Sequence, residues 1–290
     1  MIEEFLVSGL INGGIYALLA VGFSLIFGVA KIINLAHTAI YMVSAYVLWW
    51  LVRISGYGYL MSAFVAIIGA TLLAWLIYKL FMERIREHET TVLLVTASLA
   101  TVFEQAIIVL FSGMPRSAPA LFSGYYEIIG VKISLQHLFT LGLILIVIIF
   151  IWLLLYKTKP GLALRVTAQD REIANLMGIP VARICLMAVV VASFLAAIAG
   201  VVVAPLYVLD PYMWTGPLIT AIAIVILGGM GSIKGSFIGA FLLAYAEMFV
   251  IYYVPQGSFL RGVVAMLVML AVLMIRPEGL FGIAFEEERL

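Results

Sequence analysis

Two glutamates stand alone in apolar runs, Glu104 in "TVFEQAII" and Glu247 in "LAYAEMFV". A carboxyl group in such a setting can relay protons, hold a cation or ligate a metal, because an ionisable group surrounded by hydrocarbon is costly without a task or a partner. His37 and Asn34 lie together in "NLAH", Asn12 lies in the first apolar run, and Gln136 and His137 open a later one. Acid–base or zinc chemistry would require these groups to converge, and their spacing does not provide for it. There is no HExxH, HxxEH or paired-His pattern, no GxSxG, no phosphate-binding GxxxxGK[ST] and no cysteine cluster, since Cys185 is single. No catalytic residue and no metal ligand is assigned, and nothing here is built to bind ATP. An ion-coupled carrier would use Glu104 and Glu247 as its proton or sodium residues. The plainer reading makes them hydrogen-bonded packing groups, Asn34 a cap for the helix that follows it, and His137 an interfacial residue.

The elements that must hold these residues are set by hydrophobicity. Of 290 residues, 66% are hydrophobic and 11% charged, with a mean hydropathy of +1.23. Soluble domains are nearer half apolar and a quarter charged, so lipid is the solvent for most of this chain. A net charge of +1 gives no basis for a nucleic-acid partner. A crossing helix needs about 20 apolar residues, which places spans near 5–30, 36–53, 59–80, 91–112, 136–156, 183–205, 216–231, 235–253 and 260–276. Helices are expected because lipid offers backbone groups no partner. The second span, starting at "NLAH", and the seventh, ending in "GGMGSIKG", suit broken or re-entrant elements. The expectation is an all-α polytopic membrane protein with eight to nine transmembrane helices. "MIEEF" carries Glu3 and Glu4 where a signal peptide carries Lys or Arg, so the first helix is expected to be retained. With the N-terminus outside and the C-terminus in the cytoplasm, 12 of the 16 Lys and Arg fall on the inner side, Arg289 among them, while Arg53, Arg116, Lys132 and Arg261 fall outside. The positive-inside rule favours that orientation.

The same orientation puts "KTKPGLALRVTAQDREIANLMGIP", Lys157 to Pro180, in the cytoplasm. Thr167 followed by Asp170 resembles a capping box, Glu172 adds negative charge to a first turn, Gly178 suits a left-handed helix end, and Pro180 stops continuation. The spacing predicts a helix of about ten residues with Ile173, Leu176 and Met177 on one face. So short a helix must dock on something. The residues alone leave open a solvated loop, a helix on lipid headgroups or a docking element for a partner. Small residues at spacings of four, such as Gly231, Gly235 and Gly239, allow close helix approach, and the break at "GGMGSIKG" could also line a cavity.

Four stretches together resemble the LivH-type permease subunits of importers for branched-chain and other hydrophobic amino acids: "GLINGGIYALLAVGFSLIFGVAKIINLAH", "GLALRVTAQDREIANLMGI", "ILGGMGSIKGSFIGA" and "RPEGLFG". They occur in the expected order across nearly the whole chain. Thr38 departs from the glycine usual after "NLAH", and Lys234 stands where proline is common. The resemblance implies a single permease domain over 1–290, with a coupling loop at 157–182 that fits a groove on a cytoplasmic ATPase. Gly161, Arg165, Ala168, Asp170, Ala174, Gly178 and Ile179 match the loop pattern. It further implies two ATPase subunits using ATP and magnesium, a second homologous permease subunit, an extracytoplasmic binding protein that delivers an amino-acid substrate, and a prokaryotic inner membrane. This chain itself would be no enzyme and would bind no cofactor. Asn12, Asn34 and His37 are then expected along the translocation pathway. Similar permeases carry urea and short amides, and no residue excludes these.

Overall fold

The computed structural model describes residues 2–86, 88–128 and 131–281. Arg289 and the last glycine of "RPEGLFG", Gly282, lie outside the described residues, as do the side chains of Glu3 and Lys132. The chain runs through α1 (Ile2–Ala30), α2 (His37–Arg53), α3 (Tyr59–Ile77), a π turn (Tyr78–Met82) leading into α4 (Glu83–Ile85), and α5 (Glu89–Phe111). A short antiparallel hairpin, β1 (Tyr125–Ile128) with β2 (Val131–Ser134), precedes α6 (Leu135–Lys157). Then follow α7 (Lys159–Gln169), α8 (Arg171–Leu176), α9 (Val181–Val203), α10 (Thr215–Gly228), α11 (Ile233–Tyr253) and α12 (Arg261–Ile275).

Each of the nine predicted spans is met by a helix. Among the described residues seven helices are long and apolar enough to cross a membrane, and the protein is a multi-pass, essentially all-α membrane protein. The two that fall short, α2 with 17 residues and α10 with 14, are those the sequence marks as broken. Their shortness has a structural cause. After α1 the chain turns at Lys31, which takes a positive φ of 50°, and runs back into the bundle without helical structure. His37 Nε2 comes to 3.2 Å from the Leu19 carbonyl, eleven residues before the end of α1. At 1.5 Å per residue, α2 therefore starts about 16 Å inside the bundle and needs fewer turns to leave it. Likewise α10 begins only after the non-helical stretch 204–214, which Leu209 pins by pairing with Arg116.

Helix α1 is the axis of the bundle. It packs against α6, α9, α10 and α11, and α9 in turn packs against α2 and α3. Within its most apolar window 94% of α1 is buried, against 6% for the span carrying α12, which therefore faces outward. The glycine break after α10 is closed rather than open. Gly229 and Gly231 take φ of 96° and 84°, and a Cβ on Gly28 of α1 would stand 3.3 Å from the Gly231 backbone. The "RPEGLFG" segment folds back on the same place: the Leu280 and Phe281 amides donate to the carbonyls of Leu227 at 2.8 Å and Gly228 at 3.1 Å. These satisfy acceptors that the end of α10 would leave bare.

Candidate translocation cavity and coupling site

At the end of the bundle opposite the 157–182 loop, a cavity of about 530 Å³ opens among α1, α9, α10, α12 and the 204–214 stretch. Its polar wall is a network on three helices. Tyr16 donates to Glu247 Oε2 at 2.7 Å, and Arg261 Nε lies 3.0 Å from the same oxygen. Arg261 Nη2 reaches Asn12 Oδ1 at 3.0 Å and Tyr16 Oη at 2.7 Å, while Tyr207 donates to Asn12 Oδ1 at 2.8 Å. Asn12 and Tyr16 are four residues apart and so share one face of α1. Glu247 is wholly buried, and its Oε1 has no partner among the described residues. Ile15, Val263 and Met266 supply the apolar wall beside Arg261. An apolar cavity with a guanidinium and a few hydroxyl and amide groups on one side suits a small zwitterion with a hydrocarbon side chain.

The structure brings Asn12 and Glu247 into this network and leaves the other polar residues elsewhere. Asn34 Oδ1 accepts from the Ala36 amide at 3.1 Å, holding the turn into α2. His37 is fully buried between α1 and α2. Neither lines the cavity. Glu104 on α5 accepts from Trp214 Nε1 at 2.9 Å and ties that outer helix to the stretch before α10. Arg261, Tyr16 and Tyr207 were not singled out by sequence. The available sign was the Asn12–Tyr16 spacing and a lone arginine opening the last span.

The 157–182 loop contains two helices in place of the one expected. Thr158 caps α7, accepting from the Gly161 amide at 3.1 Å, with Pro160 in the first turn. Thr167 is not a cap: it is buried inside α7, and Asp170 caps α8 by accepting from the Ile173 amide at 2.9 Å. The second helix is accordingly six residues, Arg171–Leu176, with Gly178 just past its end at φ 80°. Several of the matched residues face inward. Gly161 lies directly against the backbone of Leu154 and Leu155, and Ala174 is fully buried. Arg165 Nε donates to the Leu155 carbonyl at 3.1 Å, and its guanidinium stacks over Tyr156 at 4.7 Å. Ala168 packs beside Gly28 of α1, and Ile179 joins the same core. Arg171, outside the matched set, donates to the Val29 carbonyl of α1 at 2.9 Å and to Cys185 Sγ at 3.5 Å. Among the residues the loop presents outward are three large apolar ones, Ile173, Leu176 and Met177, which are 54%, 86% and 72% exposed, beside the exposed Gln169, Asp170, Glu172 and Asn175.

Comparison with known proteins fits this arrangement. Residues 5–274 match the family described as branched-chain amino acid transport system / permease component. The chain is 28% identical to the high-affinity branched-chain amino acid transport system permease protein LivH of Escherichia coli K12, covering 97% of this chain and 98% of that protein. It is 29% identical to the corresponding protein BraD of Pseudomonas aeruginosa, over 96% and 94% of the two chains. A probable LivH of Methanocaldococcus jannaschii is 26% identical over 98% and 94%. Among solved structures, PsaBC from Streptococcus pneumoniae in complex with Fab matches with a TM-score of 0.55 at 18% identity, covering 96% of this chain and 97% of that one, a likeness of fold. With the match extending through nearly all of the spans and the 157–182 loop, the chain belongs to the family of branched-chain amino acid transport system permease components.

Proposed function

We propose that this chain is one half of the transmembrane pore of an ATP-driven importer for branched-chain or other hydrophobic amino acids, in the inner membrane of a prokaryote. Residues 1–290 form one permease domain with the N-terminus outside and the C-terminus in the cytoplasm. A second homologous permease subunit completes the pore. A binding protein delivers the amino acid to the cavity at Asn12, Tyr16 and Arg261. Two cytoplasmic ATPase subunits, which hold the ATP and magnesium, grip the loop at 157–182. Asn34 and His37 support the element that frames the pathway, and Glu104 steadies its outer rim. The chain itself catalyses no chemical step.

The observation that carries this reading is the family match over residues 5–274. The exposed Ile173, Leu176 and Met177 on a capped six-residue helix agree with it, since such a helix has no stability of its own and its apolar face calls for a partner. The test is uptake of labelled leucine by the complex reconstituted with its ATPases and binding protein. Leucine uptake that requires ATP and is displaced by excess isoleucine but not by urea is expected. Displacement by urea alone would reassign the substrate, and ATP-independent uptake driven by an ion gradient would overturn the importer reading.

A further inference from the structure

A second cavity, of about 440 Å³, is a groove on the outer surface of the bundle where α6 and α11 both pack on α1. Val21, Ile148, Ile149, Trp152, Phe237 and Ile238 make its walls, and nearly all of its surface is hydrocarbon. Ile149, Trp152 and Ile238 are exposed, so the groove opens sideways toward lipid. It runs to the level where α6 ends and α11 begins, that is, to the coupling-loop edge of the bilayer. There its character changes. Two cations approach the Tyr156 ring, the Arg165 guanidinium at 4.7 Å and the Lys234 ammonium at 5.8 Å from its centre. Neither has a carboxylate partner among the described residues, although Arg165 donates its Nε to Leu155. Lys157 and Lys159 follow immediately in sequence. Lys234 stands where the family resemblance leads one to expect proline, so the charge is a property of this chain.

We infer that this groove binds one anionic phospholipid of the leaflet on the coupling-loop side, with an acyl chain along Val21, Ile149 and Trp152 and the phosphate between Lys234 and Arg165. Three features point to lipid. The groove opens into hydrocarbon, its polarity steps from apolar to cationic at the depth of the headgroups, and an aromatic residue sits at that step. Basic pockets between transmembrane helices on the inner side take anionic headgroups in this manner. Two cations without carboxylates also complement a phosphate better than an apolar protein face. A lipid so placed would bridge α6 and α11 and touch Arg165, which holds α7 to the end of α6.

The full chain, purified in mild detergent and delipidated, is titrated separately with palmitoyl-oleoyl phosphatidylglycerol and palmitoyl-oleoyl phosphatidylcholine and read by native mass spectrometry. One phosphatidylglycerol is expected to bind at least fivefold more tightly than phosphatidylcholine, since a single Lys near an anionic surface contributes a factor of about five. Lys234→Glu should abolish the preference while Lys234→Arg retains it, which separates loss of charge from loss of fold. Ile238→Trp, which fills the groove, should reduce binding of both lipids. Equal binding of the two lipids by the natural chain, or a preference unchanged in Lys234→Glu, would overturn the proposal. So would the finding that Ile238→Trp disrupts a dimer of this chain without changing lipid binding, which would make the groove a protein interface.

Discussion

Arg261 and Glu247 form an ion pair in which one partner is fully buried and the other 37% exposed, so its worth lies between two regimes. Exposed pairs contribute up to about 1 kcal/mol, while stripping a partner from a fully buried one costs about 3–5 kcal/mol. Glu247→Ala is therefore expected to destabilise the protein by about 2 kcal/mol in a thermal unfolding series in detergent, since Tyr16 and Asn12 still hold part of the guanidinium. The double variant Glu247→Ala with Arg261→Met should lose less than Glu247→Ala alone, because no charge is then left unpaired. A double variant as damaged as the single would show that packing, not charge, is what Glu247 supplies. For transport, Arg261→Lys should raise the leucine concentration needed for half-maximal uptake, because an ammonium cannot reproduce the planar fork that spans Glu247, Tyr16 and Asn12. In the sequence Glu247 and Asn12 stand out as polar groups in apolar runs, but no local pattern pairs them. Tyr16 and Glu247 lie 231 residues apart in the chain, and helical periodicity orders residues within one helix only. The same limit left Arg261 as an outer-side charge in a topology count.

At the scale of elements, α8 is the unit with the least stability of its own and the most to lose. Six residues do not hold a helix in water, so Asp170 at its start and Gly178 past its end fix where it can form. Asp170→Ala removes the side chain that accepts the Ile173 amide and should cost about 1 kcal/mol of local helix stability. It is expected to show as faster amide exchange at residues 171–176 with the transmembrane helices unchanged. Leu176→Asp leaves the cap intact and charges the exposed face, and it should weaken co-elution with the ATPase subunits without altering thermal stability. Co-elution unaffected by Leu176→Asp would move the docking surface off α8. The stop of this helix was legible in "MGIP"; its start was not. The Thr167–Asp170 pair fits the capping-box pattern, but Leu164 and Thr167 are drawn into the core against the neighbouring helices, which extends α7 to Gln169 and hands the cap to Asp170. Thr158 with Pro160 was the start signal that went unread. For α2 and α10 the breaks were legible from "NLAH" and "GGMG", whereas the run back into the bundle after Lys31 depends on Leu35 finding Thr96 on another helix, which no local pattern encodes.

Across the whole molecule, α1 joins the cavity at one end of the bundle to the 157–182 loop at the other, the two regions that the proposed transport cycle must keep in step. Its 29 residues make a rod about 43 Å long, buried along most of its course from Gly9 onward. Asn12 and Tyr16 hold one side of the cavity network, and Gly28 and Val29, about 20 Å further along, hold the 157–182 loop and the glycine break. The connection at that lower end is narrow. Arg171 binds the Val29 carbonyl, Ala168 and Gly231 both lie beside Gly28, and the fold-back of Leu280 and Phe281 holds Leu227 and Gly228 just before that break. A displacement of α7 and α8 by an ATPase thus has a direct route into α1. Arg171→Ala should cut this route while leaving Ile173, Leu176 and Met177 free to dock. The expected result in the reconstituted complex is ATP hydrolysis within about twofold of normal and leucine transported per ATP reduced several-fold, since a charged hydrogen bond of about 1.5–3 kcal/mol is lost. Arg171→Lys, which keeps the charge and one donor, should recover part of the ratio. If the ratio in Arg171→Ala is unchanged, the motion enters through another contact of the loop, the strongest being where Gly161 and Arg165 hold α7 to the end of α6. That outcome is separable, because Gly161→Ala forces a side chain into the Leu154–Leu155 backbone and would then be the variant that uncouples.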